Sequence, residues 1–328
     1  MRPLYHPFLV NGRFGDPALY VETLFESRTV LFDLGDLAAL APRKILRIEH
    51  IFISHTHIDH FVGFDHLLRL NVGREATVNL YGPEGLGDGV AHKLRAYSWN
   101  LVDRFECDLV FNVTEFSKEF EWRRSRFRLK SAFARQETGA GSAADGVVAT
   151  TPNFRVFAAA LDHGIPSFGY ALKEKAHLNV WKPRLSALNL PLGAWLRDLK
   201  HAILAGKGDA HMIAVPDGAP RPLGELRELV TVTEGQKIGY VTDVAGTDSN
   251  RAAITALVRD ADLCFIEAAF CDADAALAAD RAHLTTRQAG EIARGAKVRR
   301  VEPFHFSPRY SGEEARMLDE VASAFAGP

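Results

Sequence analysis

The stretch FISHTHIDHFVG, residues 52–63, places four side chains able to hold a metal, His55, His57, Asp59 and His60, within six positions. His55 and His57 alternate, so at the end of an extended strand they point the same way. Asp59 and His60 follow at the turn into a helix, where they can face a second ion. Imidazole together with carboxylate suits zinc, manganese or iron. The three cysteines, Cys107, Cys264 and Cys271, have no paired spacing, which argues against a thiolate site and against a disulfide framework.

Such a cluster needs strands to position it, and the chain repeats one pattern. Short apolar runs stop at metal-competent residues: IEHIFIS before His55, FRVFAAALD before His163, KIGYVT before Asp243, LCFIE ending in Glu267, and VRRVEPF before His305. Runs this short read as buried strands. Between them DHFVGFDHLLRL, RAAITALVRDA and TTRQAGEIARGA read as helices, the last beginning with threonines suited to capping and following His283. Open α/β sheets carry their sites at the carboxyl ends of strands.

Two segments break the rhythm. QETGAGSAADGVVATTPN, residues 136–153, reads as a flexible loop or hairpin tip. Residues 173 to about 232 have several prolines and glycines and no ligand-ended strand, and read as an arm inserted in one 1–328 domain, with a helix around LGAWLRDLKHAILAG. A formal charge of −2 provides no global signal for nucleic acid, so any basic surface must be local. The start has no stretch of signal-peptide length and no run is long enough to span a membrane, so a cytoplasmic protein without a membrane partner is expected.

His55-x-His57-x-Asp59-His60 resembles the signature of the metallo-β-lactamase superfamily, and from about residue 46 onward the chain is most similar to its ribonuclease Z family. DHGIPSFGY, IGYVTDVAGTD, FIEAAF, AHLTTRQAGEIA and PFHFSPRY resemble that family's successive motifs, and LYGPEGL is a family-like phrase. The chain departs from the pattern at Ile58 and Thr242, where Gly is usual, at Ile266, where His is usual, and in PFLVNGRFGDPALYVE near its start. None of these removes a ligand.

The resemblance implies a four-layer αββα sandwich of the α/β class and two divalent metal ions, zinc first, with manganese or iron as alternatives. One ion would sit on His55, His57 and His163, the other on Asp59, His60 and His305, with Asp243 bridging. Two close ions acidify water and clamp the oxygens of a phosphodiester, so hydrolysis by metal-held hydroxide is expected. His283 lies outside the ligand set and suits a general acid, and Glu267 would fix its tautomer, so Asp59, His283 and Glu267 are the expected catalytic residues. His50 and His66 beside the motif are expected to orient or pack, and His6, His92, His177, His201 and His211 have no partner spacing and are assigned no role.

The substrate implied is a tRNA precursor cut at its 3′ end. A small phosphodiester such as a cyclic nucleotide, another ester or lactone, and a non-enzymatic metal-binding scaffold are the competing readings, and a homodimer remains an open assembly state. EWRRSRFRLK places Arg124, Arg126, Arg128 and Lys130 on one face if it is a strand, which suits a phosphate track or equally a solvated edge strand. Lys200 on the basic arm completes the expected substrate contacts.

Overall fold

The computed structural model describes residues 4–24, 27–216 and 218–327. Its first sheet has eight strands in chain order: β1 (Tyr5–Leu9), β2 (Leu19–Thr23), β3 (Thr29–Phe32), β4 (Ile48–Phe52), β5 (Ala76–Pro83), β6 (Leu109–Phe116), β7 (Glu121–Arg128) and β8 (Arg135–Ser142). β3 to β6 run parallel, and the strands on either side are antiparallel. All four residues of β3 are buried, as expected of a parallel strand covered on both faces.

The second sheet contains β9 (Val147–Thr150), β10 (Phe154–Asp162) and β11 (Pro166–Glu174). After the arm strands β12 (His177–Val180), β13 (Met212–Ile213), β14 (Arg221–Pro222) and β15 (Val230–Thr233), the chain adds β16 (Lys237–Val241), β17 (Leu263–Glu267) and β18 (Val301–Phe304). The order is β18-β17-β16-β11-β10-β9, with β16, β17 and β18 parallel.

Three apolar clusters account for the layering. Leu19, Val21, Phe32 and Phe52 of the first sheet meet Val156, Tyr170, Tyr240 and Phe304 of the second. The other face of the first sheet packs through Ile51, Leu80 and Phe111 on the helices Phe64–Asn71 and Leu86–Arg95. The other face of the second packs through Val241 and Ile266 on Asp248–Leu257, Thr286–Gly295 and Glu314–Ala326. Each fully buried aromatic or aliphatic side chain contributes roughly 1.5–3 kcal/mol. This is the expected αββα order. Two hydrogen bonds tie the sheets beside the histidine motif: Tyr170 Oη donates to Ile53 O at 2.6 Å, and Phe168 N to Ser54 O at 2.9 Å.

The segment expected as a loop at 136–153 instead contains β8, a turn at Ala144–Gly146, and β9. Gly141 has a structural use: a Cβ there would come within 2.9 Å of the Trp122 indole, so its bare backbone lies against the ring. The expected edge strand is interior too, since β7 is flanked by β6 and β8. Arg124, Arg126 and Arg128 do share its exposed face, opposite buried Ser125 and Phe127, but Lys130 lies past the strand in a 3₁₀ turn.

Residues 174–235 form a second compact unit, three residues longer at its end than the sequence pattern suggested. It has its own apolar cluster around Leu185, Trp195, Leu199, Leu223 and Leu226, the pairings β12–β15 and β13–β14, and the expected helix at Trp195–Leu204. No helix of the described residues is long and apolar enough to cross a membrane.

Candidate active site

Strands of both sheets stop beside one another, and each hands the chain to a polar residue. β3 leads to Asp33, β4 through Ser54 to His55, β16 through Thr242 to Asp243, and β18 to His305. Asp33, Asp243 and His305 take left-handed backbone conformations, with φ of +55°, +43° and +58°. That conformation costs on the order of 1–3 kcal/mol outside glycine, and Asp and His bear it better than branched residues. The three side chains converge beside the strand ends, Asp243 on His305 and Asp33 on His60.

Local packing fixes the histidine motif. His57 precedes the single helical turn Ile58–Phe61, which places Asp59 and His60 on it. A Cβ on Gly35 would lie 2.7 Å from Asp59 O, and one on Gly63 would run into Gly35 O, so two glycines let the β3 loop and this turn touch.

The donors then converge. His55, His57, His163 and Asp243 offer ligand atoms within 4.8 Å of one another, and so do Asp59, His60 and His305. Asp243 Oδ2 lies 3.5 Å from His55 Nε2, 3.4 Å from His60 Nε2 and 3.4 Å from His163 Nε2, and Oδ1 is 3.1 Å from His305 Nδ1. His60 Nε2 is also 3.4 Å from Asp59 Oδ2. All of these separations exceed the ~2.7–2.9 Å of a charge-assisted hydrogen bond. Two donors each ~2.0–2.1 Å from one tetrahedral ion lie about 3.3 Å apart, so the spacing suits a shared cation.

The orphaned atoms say the same. His55 Nε2, His60 Nε2 and His305 Nδ1 are buried without a hydrogen-bond partner. Burial pushes His55 down to about 2, which leaves the neutral ring that a metal requires. At His60 and His305 burial acts the same way, but Asp243 and the other carboxylates outweigh it. His60 is held well above its ordinary value and His305 is raised to about 10. Asp243 is held well below the usual carboxylate range: burial works against its charge, and the facing His305 and His60 outweigh that burial. Buried acids here demand positive charge, and divalent metal ions meet that demand.

Behind His60 stands a residue the sequence reading missed. Asp33, fully buried, accepts from Ser54 N at 2.6 Å, Ser54 Oγ at 2.8 Å, His60 Nδ1 at 2.8 Å and Tyr240 Oη at 2.8 Å. It fixes the His60 tautomer, with Nε2 turned to the donors. The signal was present, since TVLF running into Asp33 is the same strand-to-carboxylate pattern that marked Asp243. Asp33→Asn should lower metal affinity ~10–100-fold, the usual effect of losing a partner behind a ligand. Competition against a chelating dye measures it, and unchanged affinity would remove Asp33 from this role.

Glu267 and His283 pair beside Asp243 and His305, and these four also offer ligand atoms within 4.8 Å of one another. Glu267, fully buried, accepts from Val244 N at 2.7 Å through Oε1 and from His283 Nδ1 at 2.8 Å through Oε2. Burial lowers His283, but the Glu267 carboxylate outweighs it and leaves the ring above its ordinary value. His163 is aimed by donating from Nδ1 to Ala282 O at 2.8 Å. His57, Asp59, His163, Asp243, His283 and His305 line one cleft of about 500 Å³.

The arginines expected to touch substrate are not among the residues lining that cleft. Arg126 Nε donates to Asn112 Oδ1 at 3.2 Å, and Arg128 pairs with Asp108 at 2.7 Å. Lys200 belongs to the arm helix.

The model of the Beta-lactamase superfamily domain matches residues 28–207 and 200–306. The chain is 31% identical over 299 residues to ribonuclease Z of Deinococcus radiodurans, covering 90% of this chain and 87% of that one. It is 31% identical over 308 residues to ribonuclease Z of Geobacillus kaustophilus, covering 90% and 84%. Among solved structures it resembles the short form of human tRNase Z, with a TM-score of 0.58 at 20% identity, covering 93% of this chain and 94% of that one. It also resembles the metallo-β-lactamase fold protein YhfI of Bacillus subtilis, with a TM-score of 0.55 at 13% identity, covering 97% and 92%.

Proposed function

Because the chain belongs to the ribonuclease Z family of the metallo-β-lactamase superfamily, we propose that it is a metal-dependent endoribonuclease that cleaves tRNA precursors at the 3′ end, acting in the cytoplasm. The observation that carries this reading is His283, which lines the same cleft as His57, Asp59, His163, Asp243 and His305 while its Nδ1 is committed to the buried Glu267. Displacing an alkoxide from phosphorus needs such a separate proton donor.

His55, His57 and His163 would hold one ion and Asp59, His60 and His305 a second, with Asp243 within reach of both sets. An all-imidazole and carboxylate set points to zinc. When bound, such ions supply Lewis acidity, acidifying water and offsetting the charge of the phosphate.

The chain's own residues do the rest. Asp33 and the Ala282 carbonyl hold His60 and His163 in the tautomers that leave Nε2 facing the donors. Protonated His283 donates from Nδ1 to Glu267, which orients the ring and stabilises its charge. The Nε2 proton is then free to pass to the leaving 3′ oxygen.

Incubating the purified protein with a precursor tRNA and with bis(4-nitrophenyl) phosphate side by side tests the proposal. We expect a single cut at the 3′ end of the tRNA, abolished by chelation and restored by zinc. Hydrolysis of the small diester without any cleavage of tRNA would replace this reading with that of a small-molecule phosphodiesterase.

A further inference from the structure

Phosphate recognition beyond the reacting phosphorus needs a cation that the ligand set does not consume. Among the described residues lining the cleft, Arg281 is the one lysine or arginine. The site itself pins its backbone. Arg281 N donates to Leu277 O at 3.0 Å as the helix Ala275–Asp280 ends, and the next residue, Ala282, is left-handed with φ +55°. Ala282 O is the acceptor that aims His163, and His283 N donates to Ala278 O at 2.8 Å. Arg281 therefore stands on the turn that sets both a metal-binding histidine and the proton donor.

Its side chain is exposed, and among the described residues it has no ion pair or hydrogen bond. Nearby arginines differ: Arg309 faces Asp274, and Arg287 is held by Asp272 and Glu291. A guanidinium at the mouth of a cleft, spent on no carboxylate, presents a planar fork that matches a phosphate. A small diester has one phosphate, which the donor sets on the floor take. A polynucleotide also brings the neighbouring ones.

We infer that Arg281 binds the phosphate next to the reacting one, so that the cleft selects substrates with two phosphates in polynucleotide spacing over isolated diesters. This rests on the reading of the chain as a phosphodiesterase acting on RNA.

Titration calorimetry on the metal-loaded protein with adenosine 3′,5′-bisphosphate and adenosine 5′-monophosphate tests it. Arg281→Ala should weaken the bisphosphate about 10–100-fold, as expected for losing charge-assisted hydrogen bonds, and the monophosphate by no more than about threefold. Arg281→Lys should recover part of the difference, since it keeps the charge and loses the fork. Metal content and thermal midpoint establish that each variant is folded. Equal weakening of both ligands, or none of either, would overturn the inference. The tRNA assay is independent. A wild type that cuts no tRNA while Arg281→Ala selectively weakens the bisphosphate refutes the tRNA reading alone, whereas tRNA cleavage with no selective weakening refutes the role of Arg281 alone.

Discussion

Replacing Asp243 by alanine is expected to strip metal from both donor sets and to lower turnover more than ~10³-fold, beyond the ~10²–10³ lost with a single electrostatic stabiliser. The reason is convergence. Its two oxygens face His55, His60 and His163 on one side and His305 on the other, so one carboxylate serves both sets. Removing it leaves buried imbalance as well as a missing ligand, because His60 and His305 are held above their ordinary values largely by this acid. His163→Ala makes the contrast, since His163 belongs to one set only and its loss should empty mainly that position. Elemental analysis of the two purified variants measures the difference. A wild type with one tightly held ion, unaffected by Asp243→Ala, would refute the dinuclear assignment.

His283→Ala should keep its metal and lose ~10²–10⁴-fold in turnover, the usual contribution of a positioned general acid. The expected signature is selectivity by leaving group. Nitrophenolate departs without a proton, so hydrolysis of a nitrophenyl diester should suffer far less than RNA cleavage, where the leaving 3′ oxygen must be protonated. The geometry leaves Nε2 of His283 for the leaving group, because Nδ1 is committed to Glu267, which is itself anchored on Val244 N. Parallel measurement of kcat on both substrates decides it. Equal losses on the two would mean that His283 acts on the metal site or the fold and not on the leaving group.

These expectations were legible from sequence to different depths. The spacing of His55, His57, Asp59 and His60 is local: two residues alternate at a strand end and two sit on the following turn, so a short stretch of chain suffices to aim them. The polar ends of the other strands were visible as well, and they named His163, Asp243, Glu267 and His305 as candidates before any of them could be placed. Asp33 shows the limit of that signal, since TVLFD has the same form and was passed over; only its four hydrogen bonds reveal what it holds.

Surface roles were less legible, because exposure depends on neighbours that a sequence does not name. The glycine-rich segment after residue 135 became a strand by pairing with β7, where a Cβ at Gly141 would collide with the Trp122 ring. Arg128 was drawn to Asp108, and Arg281 stood in the cleft without any motif to mark it. By itself the sequence determined the ligand types, the strand-ended pattern and the family, since these rest on local spacing and on recurring motifs. The tertiary structure brought those donors together and left Arg281 as the one lysine or arginine among the described residues lining the cleft. Both depend on two sheets, far apart along the chain, packing so that left-handed turns after β3, β16 and β18 point into one space.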